Sequence, residues 1–247
     1  MTKTNITNKQ KEILLLLYKF RFLNRFHIQT LLHHKTPITI NNWLKDLTEK
    51  KYTKKIFKRS WTENTLPTKY YISINGIRFL STQSQCYFEY LKKLYREKDR
   101  SQNFINRCLF IAEVYLLFLT QLENKNKPYE FYTQSNYKPE SLIRELSPDF
   151  VILEKKNYYY LYQIFYDNTP RYAIRNKIKM YINFFEDQGK DLKASVTYIC
   201  PEKTFAFTQK FIDTLQEDNE TDFEMFVTSR DKLINEELLI KKPQAKD

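Results

Sequence analysis

Apolar side chains recur along the first 50 residues at the three-and-four spacing of amphipathic helices. From Lys9 to Phe22 they fall at Ile13, Leu14, Leu16, Leu17 and Phe20, which predicts a first helix with one broad buried stripe. Asn24 is placed to cap a second helix whose Phe26, Ile28, Leu31 and Leu32 point inward. Lys35-Thr36-Pro37 should end it, because proline cannot continue the hydrogen-bond ladder. A third helix, from about Ile38 to Lys50, carries Ile40, Trp43, Leu44 and Leu47 on one face and Thr39, Asn41, Asn42 and Lys45 on the other. The period then shortens to two. Tyr52 to Arg59 and Lys69 to Ile74 alternate β-branched or aromatic residues with basic or polar ones, and the polar stretch Ser60 to Thr68 between them completes a hairpin.

Three helices followed by a basic hairpin is the order of a winged helix-turn-helix. There the third helix enters the major groove of DNA and the hairpin lies along the backbone or the minor groove. Ile74-Asn75-Gly76-Ile77-Arg78-Phe79-Leu80 reads as the hairpin exit, turning through Gly76 into a further helix that runs with interruptions to about Lys98. Its Phe88, Leu91, Leu94 and Tyr95 form a narrow seam for the first helix or for a second copy in a homodimer.

From about Ser101 the pattern changes. Phe104 to Leu122 is a strongly apolar helix, Tyr129 to Thr133, Phe150 to Leu153 and Tyr158 to Phe165 read as strands, and Tyr172 to Phe185 is an amphipathic helix. Two more strands, Ser195 to Ile199 and Phe223 to Val227, flank a helix at Phe205 to Leu215. The resulting order, αβββαβαβ, is that of a restriction-endonuclease-like core. The chain thus divides into a winged-helix domain at 1–100, an endonuclease-like domain at 101–230 and a tail at 231–247, an α/β protein of the α+β kind.

Charge follows the same division. The chain of 247 residues has a net charge of +12. Residues 1–100 hold 21 Lys and Arg against 7 Asp and Glu, a balance of +14, while residues 101–247 hold 20 against 22, a balance of −2. A genome rich in A and T accounts for many lysines but not for their confinement to one part, so the first part is the one that meets a polyanion. Asn41 and Asn42 have the chemistry to bond adenine edges, and Lys45 that to reach a guanine or a phosphate. Lys50, Lys51, Lys54, Lys55, Lys58, Arg59 and Lys69 would neutralise phosphates. Arg171, Arg175, Lys177 and Lys179 offer a possible second contact with DNA.

Other chemistries find little material. With only 2 glycines, Gly76 and Gly189, no phosphate-cradling loop can be built. Cys86, Cys108 and Cys200 are odd in number and far apart, which gives neither a disulfide framework nor a zinc spacing and points to a reducing compartment. His27, His33 and His34 carry little signal, and the adjacent pair His33 and His34 reads as a helix C-terminal cap rather than as metal ligands. The longest apolar runs are short, Cys108 to Leu119 being interrupted by Glu113, and the chain does not open on a signal peptide. A soluble cytoplasmic protein that needs no metal and no cofactor is expected.

In an active nuclease of this type, Pro-Asp opens the second strand and a Glu-x-Lys pair sits on the third, since Mg²⁺ needs converging carboxylates and the water a basic group. Pro148-Asp149 occupies the first place, but Gln163-Ile164-Phe165 occupies the second. Asp149 and Gln163 are therefore read as remnants of a catalytic pair. The helix containing Ala112-Glu113, the Ser147-Pro148-Asp149 and Tyr160-Leu161-Tyr162-Gln163 strands, and the helix with Lys177 and Tyr181 together resemble the replication-relaxation proteins of plasmids, among them mobilisation accessory proteins. Pro148, Asp149, Lys177 and Tyr181 match that pattern; Gln163, Phe165, Tyr166, Asp167 and Asn168 depart from its acidic strand end. The resemblance implies a non-catalytic, sequence-specific binder of double-stranded DNA that assists a relaxase or replication protein. A transcriptional regulator of plasmid or phage genes and a divergent metal-dependent endonuclease are the alternatives.

Overall fold

A computed structural model describes residues 6–56, 67–123, 129–137, 143–154, 158–189, 192–218 and 223–235. It is a mixed α and β structure with two sheets, packed into two units, Met1–Leu116 and Leu117–Asp247.

In the first unit, α1 (Asn8–Phe20) starts at a capping box in which the Thr7 side chain and Gln10 satisfy each other's backbone N–H groups. Its Ile13, Leu14 and Leu17 are fully buried. A two-residue strand, β1 (Leu23–Asn24), leads into α2 (Arg25–Leu31), whose first turn is capped by the Asn24 carboxamide accepting from His27 N–H at 2.9 Å. Phe26 is 53% exposed rather than core, because this short helix buries the side carrying His27 and Ile28; the Arg25 guanidinium covers the Phe26 ring at 4.1 Å. Pro37 does not end α2, which stops at Leu31 before His33 turns into the left-handed region at φ 49°. It opens α3 (Pro37–Glu49), where the missing N–H costs nothing.

After α3, Lys51 reverses the chain at φ 60° into β2 (Thr53–Ile56), which pairs antiparallel with β3 (Lys69–Ile72). β1 adds to the other edge of β3, giving the order β1-β3-β2. α4 (Ile74–Leu80) follows directly, with Gly76 inside it rather than at a turn. The reason for glycine is space: a Cβ there would lie 2.3 Å from the Tyr52 carbonyl oxygen and 2.7 Å from Ile72 Cγ2. α5 (Phe88–Leu94) buries Tyr90, Leu91 and Leu94, so Phe88 and Tyr95, placed in the seam by their spacing, are exposed instead. A 3₁₀ turn at Glu97–Asp99 then inserts the Glu97 carboxyl, 1% exposed, beside Arg21, whose Nε donates to it at 3.1 Å.

α6 (Gln102–Glu123) serves both units. Its Ile105 and Cys108 join Phe22 and Tyr71 in a buried cluster of the first unit, with Ile56, Phe104 and Leu109 packed against it. Phe118, in the second unit, meets Phe131 at 5.6 Å. Over Gln102–Gln121 this helix is long and apolar enough to cross a membrane by length and composition, which corrects the reading from its interrupted run. Ile105, Phe110, Ala112 and Val114 along it are buried.

The second unit is built on a five-stranded sheet of order β4-β5-β6-β7-β8. β4 (Tyr129–Thr133), β5 (Phe150–Glu154) and β6 (Tyr158–Ile164) form an antiparallel meander, with the short α7 (Ile143–Leu146) ahead of β5. α8 (Arg171–Asp187) then crosses to β7 (Ala194–Cys200), and α9 (Glu202–Asp218) to β8 (Glu224–Ser229); both of these strands run parallel to β6. Every residue of β7 is buried, as a central strand with parallel neighbours requires. Phe131, Phe150 and Tyr162 stack across the meander at 5.2 and 4.3 Å. Residues 231–235 are not tail but belong to α10 (Arg230–Asn235), fixed by Ser229 Oγ accepting from Lys232 N–H and by burial of Leu233. The rest of the expected tail, 236–247, lies outside the described residues.

Candidate nucleic-acid interface

α3 buries Ile40, Leu44 and Leu47, which turns the opposite face of the helix outward. Asn41, Asn42 and Lys45 are exposed there, and Thr39 lies half-buried on the flank. Trp43 is half-buried, with the His34 ring edge-on at 5.1 Å. Lys45 Nζ stands 3.9 Å from Glu49 Oε1, one turn on, an exposed pair of small energetic weight that leaves the ammonium accessible. The exposed stripe gains a member that its polarity did not advertise: Ile38, 68% exposed, sits one turn before Asn41 and Asn42.

Beside the end of α3 lies an open cleft of about 600 Å³ lined by Thr48, Lys51, Thr53, Lys54, Lys55, Ser73, Ile74, Asn75 and Arg78. Its shape follows from local bonding. Ser73 Oγ donates to the Lys51 carbonyl and Ser73 N–H donates to the Tyr52 carbonyl at 3.0 Å, tying the start of α4 to the turn before β2. Thr48 Oγ1 donates to the Leu44 carbonyl at 2.7 Å and lies 3.1 Å from Thr53 Oγ1, holding the helix end against the strand. Lys51, Lys54, Lys55 and Arg78 are all exposed around this hollow, and among the described residues no carboxylate pairs with them.

The other predicted cations are placed differently. Lys50 turns to Asp46, 2.8 Å away, and that hydrogen bond, with a second from Gln10, holds the Asp46 carboxyl below its ordinary range. Lys69 is half-buried at the far end of β3, opposite Ile56. Lys58 and Arg59 lie outside the described residues.

In the second unit, Asp149 and Gln163 do come together. Asp149 is 1% exposed, and its Oδ2 accepts from Ile164 N–H at 2.6 Å and from Gln163 Nε2 at 2.9 Å. Tyr181 of α8 donates to Gln163 Oε1 at 3.4 Å. Lys177 Nζ donates to the Leu146 carbonyl at 2.7 Å. Asp149, Gln163 and Tyr181 thus share a buried polar network with Lys177 half-buried nearby, and among the described residues no three carboxylate, His or Cys side chains gather as a metal site would need. Arg171 and Arg175 lie over the Phe207 ring at 4.9 and 5.1 Å, with Lys179 exposed further along α8. Burial pushes the thiols of Cys108 and Cys200 up to about 12 and about 11, so neither is an activated nucleophile.

Arg78, Asn75 and Ile38 are exposed residues beside the predicted ones that sequence reasoning left out. The first two had a signal, since they fall opposite the buried Gly76, Ile77 and Leu80 on α4. Ile38 had one too, since it shares the i, i+3, i+4, i+7 register of Asn41, Asn42 and Lys45 and falls outside the apolar face of Ile40, Trp43, Leu44 and Leu47. Compared with protein-family models, with curated proteins and with solved structures, the chain has no significant match.

Proposed function

We propose that the chain is a sequence-specific binder of double-stranded DNA, with a winged helix-turn-helix in the first unit and a nuclease-like scaffold without cleavage chemistry in the second. The observation that carries this reading is the cleft: Lys51, Lys54, Lys55 and Arg78 surround a hollow beside the end of α3, which lends Thr48 to its lining. Four accessible cations beside a helix presenting two amides separate the two tasks of a DNA reader, with phosphate contacts that position and base contacts that specify. The order α1-β1-α2-α3-β2-β3 and the sheet β1-β3-β2 support the winged arrangement, with α3 as the groove helix. Against a nuclease stands Gln163, whose amide donates a hydrogen bond where a metal site calls for a second carboxylate. Action in the cytoplasm as an accessory factor, recruiting a relaxase or replication protein at a plasmid origin, is the biological role this reading favours.

Salt-dependent binding tests it. A duplex selected from a randomised library should bind with a steep loss of affinity as salt rises. Replacing Lys54, Lys55 and Arg78 together by alanine should reduce the slope of log K against log salt by about 0.9 for each phosphate that is no longer neutralised. An unchanged slope would remove the cleft from the interface, and a selection that enriches no sequence would remove sequence specificity.

A further inference from the structure

We infer that Ile38 is a specificity-determining residue that reads the 5-methyl group of a thymine, so that α3 selects a site in which that thymine lies one or two base steps from an adenine. The inference rests on the DNA-binding reading above and adds to it a residue and a base.

A single exposed apolar side chain means little by itself. Ile38 is different in its company. It is 68% exposed, and it heads a stripe whose other members, Asn41, Asn42 and Lys45, are exposed hydrogen-bonding groups. Residues 38, 41, 42 and 45 fall within about 100° around the helix axis, so whatever surface Asn41 and Asn42 meet, Ile38 meets as well. In the major groove an A·T pair presents N7 and N6 of adenine, which a carboxamide bonds bidentately, together with O4 and the methyl group of thymine, the apolar feature on the floor of the groove. A stripe of one aliphatic side chain followed by two carboxamides is the complement of that pattern.

The spacing agrees. Ile38 and the two asparagines are separated by three or four residues, about 4.5–6 Å along the helix at 1.5 Å per residue. Successive base pairs rise by 3.4 Å. The methyl and the adenine edge therefore belong to neighbouring or next-neighbouring pairs. Isoleucine also suits the task energetically, because its branched Cβ restricts χ1 and little rotamer freedom is lost on docking. The cations of the cleft lie around the far end of the same helix, where they fix register on the backbone without competing for the base edges.

The test removes one methyl group at a time. The full chain is used to select a site from a randomised duplex library, and each thymine of that site is then replaced by deoxyuridine, which keeps pairing and O4 and lacks only the methyl. Burial of one methyl predicts a loss of about fourfold in affinity at one particular thymine, read by fluorescence anisotropy. Ile38→Ala should bind the thymine and deoxyuridine duplexes equally, while Asn41→Ala should keep the difference. Wild-type protein that binds every deoxyuridine duplex as well as its parent overturns the assignment while leaving DNA binding intact. So does a selected site with no A·T pair, or a methyl preference that persists in Ile38→Ala. Failure to bind any duplex overturns the DNA-binding reading itself.

Discussion

The Gln163 amide donates to Asp149 Oδ2 at 2.9 Å inside the second unit, where both side chains are buried. The Ile164 N–H bonds the same oxygen. Asp149 is thus a structural acceptor joining the start of β5 to the end of β6. Asp149→Ala should lower unfolding free energy by about 2 kcal/mol or more, because it leaves two buried donors without an acceptor. A double-mutant cycle with Gln163→Leu should show a coupling of about 0.5–3 kcal/mol in urea unfolding. Supercoiled plasmid incubated with the wild-type protein and Mg²⁺ or Mn²⁺ should remain uncut.

Gly76→Ala tests the close approach between α4 and the turn before β2. The added methyl would fall 2.3 Å from a backbone carbonyl, which a side-chain rotation cannot relieve. A destabilisation of about 1–3 kcal/mol is expected from this overpacking, although alanine is the better helix former. A neutral or stabilised variant in thermal unfolding would mean that α4 is not seated on Tyr52.

The cap of α2 is a smaller, local device. Asn24 is buried and its carboxamide oxygen holds the His27 N–H. Asn24→Ala should cost about 1 kcal/mol, and Asn24→Asp or Asn24→Ser should recover most of it. Chemical denaturation of the three variants side by side would distinguish a missing cap from impaired packing, since only the former is rescued by a different capping side chain.

His27 gives the first unit a dependence on pH. Its imidazole is 5% exposed, burial lowers its pKa below the ordinary 6.5, and the Glu113 carboxyl, 3.9 Å away, only partly opposes that shift. The folded protein therefore binds fewer protons than the unfolded chain just below pH 6.5. Stability is full above that value and falls as the pH drops through the range toward the lowered pKa. Melting temperatures at pH 7.5 and 5.5 should differ more for wild type than for His27→Gln. Parallel profiles would show that another group carries the acid sensitivity.

Much of this architecture was legible in the sequence where a single physical rule governed a segment. Asn24 announced its helix through capping chemistry, and the alternation around Lys54 and around Tyr70 announced paired strands. The order of the longer helices and strands after Ser101 followed from hydrophobic period, which missed the four-residue α7 and the six-residue α10. The rule failed where an element is too short for its period to establish a face, as in α2 and α5, where Phe26 and Phe88 looked like core and are exposed. Pro37 and Gly76 were read as chain breakers, whereas one starts a helix and the other permits a close approach between α4 and the backbone of Tyr52, far away in sequence. Such approaches are tertiary, so no local pattern encodes them. The same limit applies to the exposure of Ile38, which is decided by what the other face of α3 buries.

The division of α6 bears on how the protein can be taken apart by mutation or evolution. A gene fragment ending near residue 100 would encode every residue of α3 and the described hairpin strands, yet would lack Ile105 and Cys108 and so leave Phe22 and Tyr71 facing water. A piece that keeps Phe22 and Tyr71 covered must carry at least the first two turns of α6, through Cys108 and Leu109, along with the helices and strands before it.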